Sequence, residues 1–407
     1  MTRSRYQNTD SHRRTFVFIE VDGETFDWWT DYQLNDNILN GSSSFSFHAA
    51  ALPRQAEGRA GQLQDLDARG LRRGMQVKIY VKTPQVERPV LQRTGRIDDV
   101  DIIETRDEGA QVGVSGRDHL APIVDSDMLP SIALESITYS DLIRRVLTQA
   151  MPGQPEPFFK VADLLVDNDA NRILMTGKPG AGAVVSAAAP TNLETMKLDQ
   201  VKPHPGETVF AFLSRHAQRF GLIIWGTADG KIVFGRPNYD QKPIARLVMR
   251  QGTDGAENNV ERFQRHTSFK HRPSEIHVYG KSKGGDHMKS SIHAVAYDDE
   301  VHDERLWRPL TIHDNNARTK EQAEHRARYE LSVRRQTGDV IQASLAGHAN
   351  EDGIVWAPDT VVSLEWDKAG VFDDRYVVGR SLSRGRNGTT ASLEIVPKHS
   401  IALGTAE

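Results

Sequence analysis

The chain has 407 residues, with 51 Lys and Arg against 55 Asp and Glu and a formal net charge of -4. That length fits about two to four domains, and so even a balance excludes a whole-chain basic field for nucleic acid. There is no cysteine, which excludes a disulfide framework, a thiolate zinc site and a cysteine nucleophile.

Residues 1–14 are polar and arginine-bearing, and the following TFVFIEV is too short and too alternating for a signal peptide. No run reaches the apolar length needed to cross a bilayer. The expectation is a soluble protein made in the cytosol, with flexible tails over 1–14 and 399–407 and no membrane insertion. From 15 to 117 the signals are those of an antiparallel sheet. Phe16 and Phe18 lead to Asp22-Gly23, a tight-hairpin dipeptide. Val77, Ile79 and Val81 alternate with polar residues, as on a half-buried strand, and Val112 and Val114 repeat the pattern.

From 118 to 255 the period changes to an α/β pattern. Leu142, Ile143, Val146, Leu147 and Ala150 share one helical face, with Thr138 as N-cap. A Gly/Ala/Pro-rich stretch over 176–191 reads as a mobile surface loop. In ETVFAFLSRHAQRFGLIIWG (207–226), Val209, Phe212, Leu213, Ala217 and Phe220 form a helical stripe, Gly221 a C-cap, and Leu222–Trp225 a buried strand. Ser214 and His216, two apart on that helix, point to different sides and do not make a nucleophile–base pair. Strands return over 256–398, around Ile276 and Val278 and around Ile292, Ala294 and Ala296. A helix over 319–335 interrupts them; its apolar stripe of Ala323, Ala327 and Leu331 is thin, so it lies on a surface.

The two strand-rich regions echo each other. The first reads FSFHAAL, RGMQVKIYV, QRTGRIDDVDIIE, AQVGVSGRD; the second reads IQASLAG, APDTVVSLEW, YVVGRSLSRG, TASLEIVPK. In both, Gly74 or Pro358 introduces the second strand and Gly95-Arg96 or Gly379-Arg380 marks the third. The fold class expected is mainly β with an α/β insertion: two similar antiparallel β-barrels joined by a small α/β region.

Three motifs carry a resemblance. DGETFDWWTDYQLNDNILNGSSSFSF, GRIDDVDIIETRDEGAQVGVSGRDHLAPIVDSD and ETVFAFLSRHAQRFGLIIW are similar to stretches of the baseplate hub proteins of contractile-tailed phages. The Mu-like hub is the nearest of these, with the T-even hub, the late-control protein D family and the N-terminal part of type VI secretion spike proteins further off. Gly95, Arg96, Gly116, Arg117, Asp118, Val124 and Asp125 fall in the family's register; Ser126 stands where many relatives have cysteine, and the loop over 176–191 has no counterpart. The resemblance covers 15–397. It implies a non-enzymatic homotrimer whose two tube-like barrels per chain present six to the tail tube above and a threefold seat to the central spike below. Further implied partners are other baseplate or tape-measure proteins, with DNA only in transit through a lumen poor in Lys and Arg. The implied place is the tail baseplate of a virion assembled in the bacterial cytoplasm.

Arg96 and Arg380, read as equivalent repeat positions, are the candidates for barrel–barrel salt bridges; capping a local strand is the other reading. Lys281, Lys283 and Lys289 sit on a basic hairpin that suits an acidic protein partner. The remaining chemistries fail on spacing. GKPGAG (177–182) lacks the Lys-Ser or Lys-Thr after its glycines that a phosphate loop needs. His302, Asp303, His313 and Asp314 fit no common ligand pattern, and no cofactor is expected. Asp98–Asp99 and Asp373–Asp374 are adjacent on strands and point to opposite faces, which does not suit glycoside hydrolysis. A peptidoglycan or polysaccharide hydrolase and a glycan-binding tail module are the alternative readings.

Overall fold

A computed structural model describes residues 15–27, 29–50, 71–105, 109–129, 134–149, 157–160, 164–165, 197–220, 222–251, 258–281, 291–314, 317–385 and 388–398. Both expected tails, the loop over 176–191, Ala150, Gly221, Lys283 and Lys289 lie outside the described residues.

The first strand set comprises β1 (Phe16–Val21), β2 (Glu24–Phe26), β3 (Trp29–Asn37), β4 (Ser44–Ala50), β5 (Gln76–Lys82), β6 (Val90–Thr105) and β7 (Gly109–Asp118). They lie in the order β3-β4-β7-β6-β5-β1-β2, antiparallel throughout. Asp22 and Gly23 both take positive φ, at 47° and 89°, in the β1–β2 turn, as the Asp-Gly dipeptide requires. Val77, Ile79 and Val81 are buried and their neighbours are not, so the alternation reads onto one inward face.

The α/β unit follows, with α1 (Ala121–Asp125), β8 (Leu134–Thr138), α2 (Tyr139–Leu147), β9 (Leu164–Leu165), β10 (Lys197–Val201), α3 (Val209–Ala217), β11 (Ile223–Gly226) and β12 (Ile232–Gly235). Thr138 and Thr208 cap α2 and α3 by accepting from the amides of Asp141 and Ala211. The expected apolar stripes bury Leu142, Ile143, Val146 and Leu147 of α2 against Val209, Phe212 and Leu213 of α3. His216 lies in the same buried face, edge-on to Phe212.

The remaining elements are β13 (Arg246–Met249), β14 (Arg262–Thr267), β15 (Glu275–Lys281), β16 (Ser291–Tyr297), α4 (Asp299–Asp303), β17 (Pro309–His313), α5 (Lys320–Gly338), β18 (Asp339–Ala346), β19 (Thr360–Trp366), β20 (Asp374–Gly385) and β21 (Gly388–Pro397). Here the structure departs from the expected domain plan. The strands at Ile276 and Ile292 do not join the second set; β16-β15-β17 is a sheet of its own. Ala323, Ala327 and Leu331 of α5 pack on its Ile276, Val278, Ala294 and Ala296. Alternation along a strand says that one face is buried, not what covers it.

The internal repeat is present in the topology. The first set contains β4-β7-β6-β5 and the second β18-β21-β20-β19, each antiparallel and in the same chain order. Both long strands carry a bulge, between Ile97 and Asp99 and between Val377 and Gly379. The two sets also join directly: β20 pairs with β3, making one continuous sheet.

Gly95 and Gly116 lie under the Phe45 ring, where strands β6 and β7 approach closely. A Cβ on Gly116 would stand 2.2 Å from the Arg96 carbonyl oxygen and 2.4 Å from Phe45 Cζ, whereas one on Gly113 meets nothing nearer than 3.4 Å. Gly116→Ala is therefore expected to destabilise the fold by roughly 1–3 kcal/mol or more through overpacking against backbone. Gly113→Ala should stay within about 0.5 kcal/mol of the parent. The urea midpoints of the two variants distinguish them.

Candidate functional site

The junction of the two strand sets, β3 against β20, is where a chain with an internal repeat exposes how its copies fit together. Pairing runs antiparallel from Gly379 opposite Asn37 to Arg384 opposite Tyr32. On the inward face of β3, Tyr32 and Leu34 are buried, and strand periodicity carries Asp36 into the same environment.

Asp36 is neutralised from both sides. Arg380 Nε donates to its Oδ2 at 2.6 Å, and Arg93 Nη2 stands 2.7 Å from its Oδ1. Arg380 Nη1 also donates to Gln92 Oε1 at 2.8 Å and to the Trp356 carbonyl. Arg93 Nη1 donates to the Gly226 and Thr227 carbonyls, at 2.9 and 3.2 Å, and lies 3.5 Å from Asp118 Oδ2. Asp118 in turn accepts from the Ser43 and Leu120 amides and the Ser42 hydroxyl. Asp36, Arg93, Asp118 and Arg380 are all buried. Burial alone would raise the Asp36 carboxyl, but Arg93 and Arg380 hold it below the ordinary carboxylate range. Burial pushes the Arg380 guanidinium down, against the pull of Asp36. The network ties β3 and β6, β20, and the β11–β12 turn of the α/β unit to one another.

His348 seals the same junction. Its Nε2 donates to the Ser383 carbonyl at 3.0 Å and the Tyr32 hydroxyl lies 3.2 Å from its Nδ1. Burial, together with the charges of Arg380 and Arg384, lowers its pKa to about 4.

The two sequence candidates do not occupy matching places. Gly74 and Asp359, both at positive φ, donate their amides to Ile97 and Val377, which fixes the register of the repeats. In that register Arg96 matches Tyr376, and Arg380 matches Val100. The residue that matches Gly74 is Asp359 rather than Pro358. Arg96 is exposed and donates to the Gly74 carbonyl at 3.0 Å, the local-cap geometry. Arg380 spans the junction. The Gly-Arg dipeptides are thus a coincidence of sequence; Arg93 and Asp36 were missed, and Asp118 stood out only as part of the family's register. Their signal was a charged residue in step with the inward apolar positions of a strand.

Lys281 ends β15, where its amide donates to the Ala317 carbonyl. Among the described residues no three His, Asp or Glu side chains are grouped to hold a metal ion. The paired carboxylates are engaged structurally. Asp98 and Asp125 flank Arg117 at 2.6 Å each; Asp373 pairs with Arg375 at 3.0 Å and Asp374 with Lys398 at 3.5 Å.

Asp36→Ala leaves the buried Arg380 without a carboxylate and Arg93 with only Asp118, at 3.5 Å, and is expected to cost about 3–5 kcal/mol, against less than about 1 kcal/mol for the exposed Arg96→Ala; equilibrium denaturation measures both. Acid should act through His348. Its folded pKa lies below the unfolded value of about 6.5, so stability is full above that value and falls as pH drops toward 4, because only the unfolded chain takes the proton. From pH 7 to pH 5 the parent should lose about 2 kcal/mol more than His348→Gln.

No protein-family model matches the chain, and no curated protein matches it by sequence. Solved structures do match. A tail protein from Neisseria meningitidis MC58 superposes with a TM-score of 0.69 at 21% identity, covering 95% of this chain and 97% of that one. The 43 kDa tail protein of prophage MuSo2 from Shewanella oneidensis gives 0.66 at 18% identity, covering 95% and 99%. A chain of the Francisella PdpA–VgrG complex gives 0.52 at 10% identity; the match covers 97% of this chain but 60% of that longer one. Mainly β with an α/β unit, and matched over nearly its whole length, the chain has the fold of these phage tail proteins.

Proposed function

We propose that the chain is a structural protein of a phage tail, the baseplate hub. Three copies close into a ring that adapts the sixfold tail tube to the threefold central spike. The observation that carries this reading is the internal repeat. Two antiparallel units with the same strand order, β4-β7-β6-β5 and β18-β21-β20-β19, stand side by side in one chain and are joined at β3·β20. Three such chains offer six similar units, which is what a symmetry adaptor between six and three needs. A head-to-tail contact whose rotation closes is the usual way to build such a ring.

The fold shared with tail proteins over almost all of both chains supports this reading, and the similarity to a chain of a VgrG-containing complex supports a spike as partner. The action is mechanical rather than enzymatic. The ring sits in the virion at the tail baseplate, binds the tube on one side and the spike on the other, and leaves a lumen for DNA in transit. Arg96 and Lys281, both exposed, are available to this assembly's neighbours.

Size-exclusion chromatography with light scattering is expected to give about three times the 45.5 kDa chain mass, and co-expression with the spike protein should give a complex retained on pull-down. A persistent monomer that degrades cell-wall polymer would overturn the structural reading.

A further inference from the structure

The contact that joins the two repeats within the chain has a counterpart that the single chain leaves open. β20 is paired along both its halves on one side: Asp374–Val377 with β19, and Gly379–Arg384 with β3. Its repeat mate β6 is paired with β5 only over Val90–Arg96. Beyond the bulge, Asp99–Thr105 pairs with β7 alone among the described residues. The mate of β3 is β14, because β3 flanks β4 as β14 flanks β18. Among the described residues β14 has β18 on one side and no strand on the other. Each repeat therefore offers one short strand and one half-length strand edge. One such pair is joined inside the chain; among the described residues the other short strand and the other edge are both free.

We propose that β14 of one copy pairs antiparallel with the outer half of β6 in the next copy, in the register that β3 holds on β20. This rests on the ring reading above and names the surface that would close it. The register follows from the ladders. Leu34 faces Phe45, which faces Gly116; Arg265 faces Ile341, which faces Ile395; Gly116 and Ile395 face the matched residues Ile97 and Val377. Leu34 thus matches Arg265, and on the long strands Leu382 matches Ile102. The intrachain pairs Leu34–Leu382, Asn35–Ser381 and Tyr32–Arg384 become Arg265–Ile102, His266–Asp101 and Phe263–Glu104 between copies.

The side chains at the two free edges suit each other. Asp99, Asp101 and Glu104 are exposed on β6; Arg262, Arg265 and His266 are exposed on β14, with Arg265 also held by Asp339 at 2.8 Å. In this register His266 lies opposite Asp101 and Arg265 lies diagonal to Glu104, and opposite charges so placed in an antiparallel pair are stabilising. Ile102 is 52% exposed, while Leu382 at the matching place is fully buried by the intrachain junction. A long edge with exposed isoleucines is a template for strand addition, and a second copy of this chain carries the strand whose mate already fills the equivalent edge.

Because the chain has no cysteine, the register is testable with two introduced thiols. Directly opposed residues in an antiparallel pair have Cα atoms about 4.5–5.5 Å apart, inside the range of about 4.4–6.8 Å that a disulfide spans. Asp101→Cys with His266→Cys, both at exposed positions, is expected to convert the assembled protein under mild oxidation into covalent trimers on a non-reducing gel. Asp101→Cys with Arg262→Cys, out of register, should not. Light scattering on the same samples separates the two ideas. A particle of trimer mass that stays uncross-linked, or that cross-links equally in both variants, overturns the β6·β14 pairing and leaves the ring. A particle of monomer mass overturns both.

Discussion

One buried carboxylate, Asp36, shared between Arg93 and Arg380, holds the two halves of this molecule in a single sheet. Taking three charges out of water carries a large desolvation cost, and such a group is tolerable only when every member is paired. Here each one is. Asp36 takes a guanidinium on either oxygen, and both guanidiniums spend further donors on Gln92, Trp356, Gly226 and Thr227. A one-residue slip of β3 on β20 would turn Asp36 to the other face and leave Arg380 without its carboxylate, so the network selects the register as well as the contact.

Much of the architecture follows from that selection. β20 carries β21 on one side and divides its other edge between β19 and β3, so the apolar faces of both repeats merge into one core. Phe45, Phe47 and Val114 lie in the same cluster as Leu382, Leu393 and Ile395. The α/β unit is tied in through Arg93, and the β15–β17 sheet through Arg272, which is buried on Asp298 with a bidentate geometry. A single chain thus becomes a double-unit block rather than two beads on a string.

The motif GRIDDV…VSGRDHLAPIVD, on which the resemblance to hub proteins rested, has a physical account. Gly95 and Gly116 leave room for Phe45 over two closely spaced strands. Arg117 is clamped between Asp98 and Asp125. Asp118 organises the turn at Ser43 and the start of α1 while facing Arg93. These residues are structural, and each serves the crossing of β6 and β7 or the attachment of the α/β unit.

Local features were legible in the sequence because neighbours on the chain set them. Asp22-Gly23 dictated a turn through its positive φ, Thr138 dictated a helix start through its hydroxyl, and the alternation of Val77, Ile79 and Val81 dictated an inward face. The order of the repeat was legible too, since four strands recur in sequence. The site was half legible. Arg380 stood out, but for a dipeptide match that the ladders show to be out of register, and its partner Asp36 lies 344 residues away. What tertiary structure alone decided was which strand edge meets which: β3 with β20, and β15 with β16 and β17 apart from the second repeat. Backbone edges are chemically alike, so the choice between them falls to buried charge and apolar contacts between residues far apart in the chain, and no local pattern records it.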